Sequence, residues 1–343
     1  MQLHKKDINE ILLGSSLLGT GGGGRFELAK EIAQTINSPV SLQSIDTIED
    51  NDLIITAFMV GGLKKRGDLG TGIRKSIELL KRILNKEISY LIPVEIGPTA
   101  VMNILKIASE LSLPVLDGDL VGFRSAPEIY VEAITLNKIN RLPIAAINLE
   151  GDSIILTETE SIKNIERILR TFSDQSRSEV YVAGYPLYKS AIENYFGEGS
   201  LTFTSRLGKL MNDVLNKTSL VTKLKQEEIN YIDEGIIVKQ EDQDNKGFTI
   251  GKVYIQSTKT QYEIVYKNEY LVLLKNNRVL LTSPDSILLF DPIRKRGLNN
   301  SENNMHKRVY IFIKKAIPPW RTIKGKKLFS PKNLGFDYEQ KLL

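Results

Sequence analysis

Three acids and a run of glycines mark where this sequence could do chemistry. Val94-Glu95-Ile96-Gly97 and Leu116-Asp117-Gly118-Asp119 place carboxylates in loops directly after short apolar runs. Carboxylates held close together repel, so one keeps its proton to higher pH and the set can supply a general acid and a general base. The second loop leads to Gly122-Phe123-Arg124, whose guanidinium could pair with a substrate carboxylate or hold an aspartate ionised. Glu128 follows in the same loop and could orient Arg124. The plainer reading is that Asp117 and Asp119 cap turns. Gly19-Thr20-Gly21-Gly22-Gly23-Gly24 satisfies G-x-G-x-x-G in form only, because the dinucleotide fingerprint follows a strand and here a helical pattern precedes it. What remains is a loop of bare amides, Gly21 to Gly24, feeding the N-terminus of a helix and suited to cradle a carboxylate or phosphate. Its plainer alternative is a helix–helix turn that needs positive φ. Gly61-Gly62 ends another buried run and joins the list of ligand-facing candidates.

Composition narrows the chemistry. There is no cysteine, which removes thiol nucleophiles, disulfides, iron–sulfur clusters and thiolate zinc sites. His4 and His306 are the only imidazoles, too few for a multi-histidine metal site and a poor basis for a triad. A base must then be a carboxylate or a water on a metal. The one cofactor expected is a divalent cation on carboxylates, magnesium or manganese before zinc. No apolar run approaches the ~20 residues of a membrane-spanning helix, and MQLHKKDINEILLG lacks a cleavage site, so a cytoplasmic protein is expected. From Pro292 onward 13 Lys/Arg face three acids within a chain of net charge +5. Nucleic-acid binding through this tail would need interleaved, exposed aromatics. RVYIFIKK instead alternates like a half-buried strand, so a solvated basic surface is the expectation and a nucleic-acid partner is not.

Placing these loops requires strands that alternate with helices. The pattern predicts a helix from Asp7 to Leu18, a helix after the glycine loop, a buried strand Leu53–Phe58, a helix Ile73–Leu84, a strand Tyr90–Val94, a helix Val101–Leu111 and a short strand Leu113–Leu116. Helices are predicted over Ser161–Phe172 and Thr204–Leu215, and from Glu234 onward short Val-, Ile- and Tyr-rich runs predict antiparallel strands. The chain of 343 residues is therefore read as two domains. Residues 1–165 form an α/β domain with a mainly parallel sheet; residues 166–343 form a β-rich domain with the basic tail. In an open parallel sheet ligands bind beyond the carboxyl ends of the strands, so Glu95, Asp117, Asp119, Arg124 and Gly61-Gly62 are expected on one rim beside the glycine loop. Arg294–Lys307, with four asparagines, reads as a mobile loop.

At these same residues the chain resembles a known family. Leu12-Leu13-Gly14 through the glycine string, Glu95-Ile96-Gly97, Leu113-Pro114-Val115-Leu116-Asp117-Gly118-Asp119, Gly122-x-Arg124-x-x-Pro127-Glu128, Asn268-Glu269-Tyr270-Leu271, Ser283-Pro284-Asp285 and Phe336-Asp337-Tyr338 are similar, in order and spacing, to the DUF917 family. That family is also called the S-methyl thiohydantoin desulfurase family and is often found beside hydantoinase/oxoprolinase proteins. It commonly continues E-I-G with glycine and asparagine, where this chain has Pro98-Thr99-Ala100, and its Gly–Arg spacing is one residue shorter. The resemblance implies an α/β domain followed by a β-rich one, and hydrolysis of a thiohydantoin- or hydantoin-like cyclic amide. Asp117 or Asp119 would then be base or metal ligand, Glu95 their partner, Arg124 the substrate anchor and the glycine amides the anion donors. The alternative is a non-catalytic accessory protein that binds a small anion or a hydantoinase-type partner; a homo-oligomer fits either reading.

Overall fold

The computed structural model describes residues 1–61 and 70–343. Ile54–Val60 is a continuous apolar run and lies in the middle of the first sheet, where a strand must be buried on both faces. The order across that sheet is Gln2–Leu3, Val40–Gln43, Val115–Leu116, Tyr90–Leu91, Ile54–Val60, Val180–Leu187, Ile144–Ile147, Ser153–Leu156. The four strands from Val40–Gln43 to Ile54–Val60 are parallel neighbours, and every other pairing is antiparallel. The sheet is thus mixed, not mainly parallel. Helices Thr71–Leu84 and Pro98–Leu111 give the parallel strands their crossovers, whereas Ile144–Ile147 and Ser153–Leu156 form a hairpin, which can only be antiparallel. Val180–Leu187, beyond residue 165, belongs to this sheet as well.

The second sheet has eight strands, all antiparallel, and its runs from Phe248 onward form where the alternation of the sequence predicts them. The aromatics of the basic tail do not stand in solvent: Tyr310, Phe312, Trp320 and Phe329 are buried, and the Trp320 indole N–H donates to the Val121 carbonyl at 2.7 Å.

Between the two sheets runs the first helix, Lys5–Leu18. On one side it packs against helix Ser200–Asp213 so closely that a Cβ on Gly14 would stand 1.9 Å from the Thr204 carbonyl oxygen, and one on Gly208 1.8 Å from that of Glu10. On the other side the Ser16 hydroxyl accepts from the Gly297 amide at 3.0 Å. The glycine loop, leaving the end of this helix, therefore emerges at the junction of the sheets.

The asparagine-rich segment closes over that loop. Gly21 N–H donates to Leu298 O at 2.9 Å, Asn300 N–H to Gly21 O at 2.8 Å, and the Asn299 amide group to Gly24 O at 3.0 Å. Asn304 in turn donates to Asn299 O at 2.8 Å, and Asn299, Asn300 and Asn304 are all buried. The middle of Arg294–Lys307 is thus a bracket built from backbone and side-chain-to-backbone bonds, while Arg294, Lys295, Asn303 and His306 are exposed.

The helix contact yields a test. Gly→Ala inside a helix ordinarily stabilises by up to about 1 kcal/mol. At Gly14 and Gly208 the backbone contact reverses the sign, so each Ala variant is expected to lose about 1–3 kcal/mol in thermal or denaturant unfolding. A neutral or stabilising result at both positions would disprove the close approach.

Candidate functional site

A cavity of about 110 Å³ lies where the glycine loop, the ends of two first-sheet strands and a corner of the second sheet meet. Its walls include Gly22, Gly23, Gly24 and Arg25 from the loop, Gly61 after Ile54–Val60, Glu95 after Tyr90–Leu91, and Asn268 and Glu269 from the second sheet. A cavity of this order takes a single small ring.

Glu95 and Glu269 give it its chemical character. Glu95 lies on the loop into helix Pro98–Leu111 and accepts the Ala126 N–H at 2.7 Å. Glu269 opens strand Glu269–Lys275, is buried, and accepts the Gly22 N–H at 3.0 Å. Burial pushes Glu95 up to about 8, and the neighbouring Glu269 and, more weakly, Asp119 and Glu132 add to the rise against the pull of the Ala126 amide. Burial also pushes Glu269 up to about 7, offset by the Gly22 amide, the Ser125 hydroxyl and the charge of Arg124. Near neutral pH such a pair holds a proton on one carboxyl while the other can accept one. A third wall carboxyl, Glu132, accepts from the Tyr185 hydroxyl at 3.1 Å and from Arg141 at 3.0 Å, and burial pushes it up to about 7.

The expected rim assembles in part. Glu95, Gly61, Glu128 and Gly22 to Gly24 share the cavity wall, Gly21 sits just behind it against Glu269, and Gly62 lies outside the described residues. Asp117 and Asp119 do not line it. Strand Val115–Leu116 is separated from Ile54–Val60 by Tyr90–Leu91, which moves the loop after it away from the cavity. Asp117 there caps helix Ser200–Asp213, accepting from the Leu201 and Thr202 amides at 3.0 and 3.1 Å. Asp119, fully buried, accepts the amides of Val121, Gly122 and Phe123 and holds that turn.

Arg124 turns away as well. Its guanidinium donates to Pro284 O at 2.6 Å and Asp285 O at 3.3 Å and stacks on Phe329, 4.5 Å from the ring centre, so it faces Glu269 from behind the wall. Glu128 pairs with Lys267 and not with Arg124. The glycine amides are also spent inside the protein: Gly21 on Leu298, Gly22 on Glu269, Gly23 on Gly19 and Gly24 on Gly22. The carboxylate that comes up to this loop is the protein's own. Among the described residues no three His, Cys, Asp or Glu side chains are grouped to hold a metal ion.

Asn299 and Glu132 are not singled out by the sequence reading, and Asn268-Glu269 enters it only as part of the family motif, not as a candidate site. One signal was present: Asn268-Glu269 stands directly before the apolar run Tyr270-Leu-Val-Leu-Leu, and Asn268 takes φ +55°, a turn geometry that swings the acid inward.

Two measurements follow from these environments. Both glutamates bind their proton more tightly when folded than the ordinary value near 4.5. Their contribution to stability is therefore greatest below that value and is lost as pH climbs through about 7 to 8. Glu95→Gln should raise the melting temperature at pH 8.5 more than at pH 5.5; an equal shift at both would deny the buried charge. Asp119→Asn, which sets an NH2 against amide donors, should cost about 1–3 kcal/mol of stability, read by denaturant unfolding, and a neutral result would contradict the turn.

Comparison with known proteins agrees with this architecture. The S-Me-THD-like N-terminal domain matches residues 6–158 and the S-Me-THD-like C-terminal domain residues 160–343. An X-ray crystal structure of a protein from Chromobacterium violaceum superposes with a TM-score of 0.81 over 99% of each chain at 16% identity, a likeness of fold alone. No curated protein sequence matches. Among the described residues no helix is long and apolar enough to cross a membrane. With both domains matched in sequence order over nearly its whole length, the chain belongs to the S-Me-THD-like family.

Proposed function

We propose that this protein hydrolyses a thiohydantoin- or hydantoin-like cyclic amide, acting as a desulfurase where the ring carbon carries sulfur. The observation that supports it most is the pair Glu95 and Glu269, two carboxyls in one small cavity with their protonation pushed toward neutrality. Membership of the S-Me-THD-like family supports this substrate class.

Hydrolysis at such a carbon needs a base for water and an acid for the leaving group. The ionised carboxyl takes a proton from water as the oxygen bonds to the ring carbon. The carbon–sulfur bond then breaks as the protonated carboxyl gives its proton to the sulfur; the added hydroxyl gives up its remaining proton, to the departing sulfur of a thiohydantoin or to the ring nitrogen of an S-methyl form, and the ring keeps a carbonyl where the sulfur was. One water is consumed, one sulfide or thiol leaves, and the carboxyl pair ends with its single proton on the opposite member. A carboxyl beside a carboxylate also matches the edge of a cyclic amide, donating to its C=O and accepting from its N–H. The apolar walls of Phe58, Val94 and Ile129 fit the ring faces. In this assignment Glu95 keeps the catalytic role its loop suggests, and Glu269 takes the place of Asp117 and Asp119.

Sulfide or thiol release from a panel of thiohydantoins and their S-methyl forms tests the assignment. Glu95→Gln and Glu269→Gln are each expected to lose about 10²–10⁴-fold in kcat, with wild-type activity falling on both sides of a pH maximum near neutrality. Full turnover in either variant would overturn the pair. Ligand-induced stabilisation without any turnover would select the accessory, anion-binding reading instead.

A further inference from the structure

Among the described residues, every cation around the cavity but one is committed. Arg170 is paired with Glu166 at 2.8 Å and donates to Gly61 O and Gly247 O. Lys267 is held by Glu128, Arg141 by Glu132, and Arg124 by the backbone behind the wall. Arg25 lines the cavity and, among the described residues, has neither a hydrogen-bond nor an ion-pair partner for its guanidinium.

The backbone that carries Arg25 is nonetheless fixed. Gly24 before it sits at φ +96° with its Cβ position 1.8 Å from Thr99 Oγ1, and its carbonyl is held by Asn299 at 3.0 Å. The Arg25 carbonyl accepts from Ala29 at 3.1 Å, opening helix Phe26–Gln34. A half-buried guanidinium on a rigid support, facing a cavity and lacking a counter-charge, suits an anion brought by the ligand. Its two parallel N–H groups match a carboxylate in size and geometry, and the small cavity with one uncommitted cation suits that group better than a bulkier, doubly charged phosphate.

The geometry points to Arg25 as the residue that selects a carboxylate on the ligand, so that the preferred substrate is a small cyclic amide with a pendant carboxylate. This rests on the cyclic-amide reading of the cavity.

The test compares 5-carboxymethylhydantoin with its carboxamide, matched in size and differing in charge, by titration calorimetry. Wild-type protein should bind the carboxylate at least ~10-fold more tightly, the usual worth of a charge-assisted bidentate bond. In Arg25→Gln that difference should collapse, while Arg25→Lys should keep a reduced part of it. A preference that survives in Arg25→Gln, or is missing from the wild type, overturns the proposal. If neither hydantoin binds, the cyclic-amide reading fails by itself and acetate against acetamide decides for Arg25. Thermal protection by acetate alone, abolished in Arg25→Gln, supports an anion-selecting arginine; equal shifts in wild type and variant overturn it.

Discussion

Glu269 reaches across to the first domain because Gly22 offers it a backbone with no side chain. A Cβ there would lie 2.2 Å from Glu269 Oε1 and 2.8 Å from the Asn268 carbonyl carbon. Much else hangs from this contact. Gly23, next in line, leaves room for Gly97, where a Cβ would be 2.6 Å from the Gly23 carbonyl oxygen, and Gly97 starts the helix behind Glu95. Asn299 and Asn300 then grip the loop from the second domain. One stretch of bare backbone thus sets the distance between the domains and brings their two carboxyls into one cavity.

The number of donors at each buried acid separates the turn carboxyl from the cavity carboxyls. Asp119 has three backbone amides and is pushed up only to about 6 despite complete burial. Among the described residues Glu95 has one amide donor and is pushed up to about 8, and Glu269, with one amide, a hydroxyl and a nearby arginine, lies between at about 7. A carboxylate needs several donors to offset its lost hydration. The turn acid receives them, and the cavity acids are left short, which costs stability at neutral pH and leaves them able to exchange protons.

Much of the fold was legible because burial writes itself as periodicity. The apolar run Ile54–Val60, the amphipathic helices and the alternating strands after Phe248 all follow it. The rule that ligands bind beyond the ends of parallel strands points to the loops of Glu95 and Gly61, which line the cavity, but it cannot say how the strands are ordered, and the order is what sets Asp117 away from that cavity. The asparagine segment misled for a different reason. Its amides replace regular secondary structure with side-chain bonds, two of them to backbone far away in sequence and one within the segment, and a loop so held has the composition of a loose one. Glu269 stood in the family motif but not among the candidate site residues, because an acid at the edge of a β run looks like a solvated strand end; its partner Gly22, nearly 250 residues away, gives it a different place.

The same protonation that readies the pair also governs what the cavity can hold. Among the described residues the other wall cations are committed to acids or backbone, so Glu95, Glu269 and Arg25 weigh in the charge a ligand meets. When both glutamates are ionised they repel an anion from the place where Arg25 would receive it. When both are protonated the anion is welcome, but no base remains for water. In the proposed reaction only the singly protonated state would serve binding and chemistry together, and the two carboxyls, short of donors on either side of the domain junction, are pushed toward that state near neutral pH. Neither domain could do this alone, because one carboxyl and the uncommitted arginine come from the first and the other carboxyl from the second.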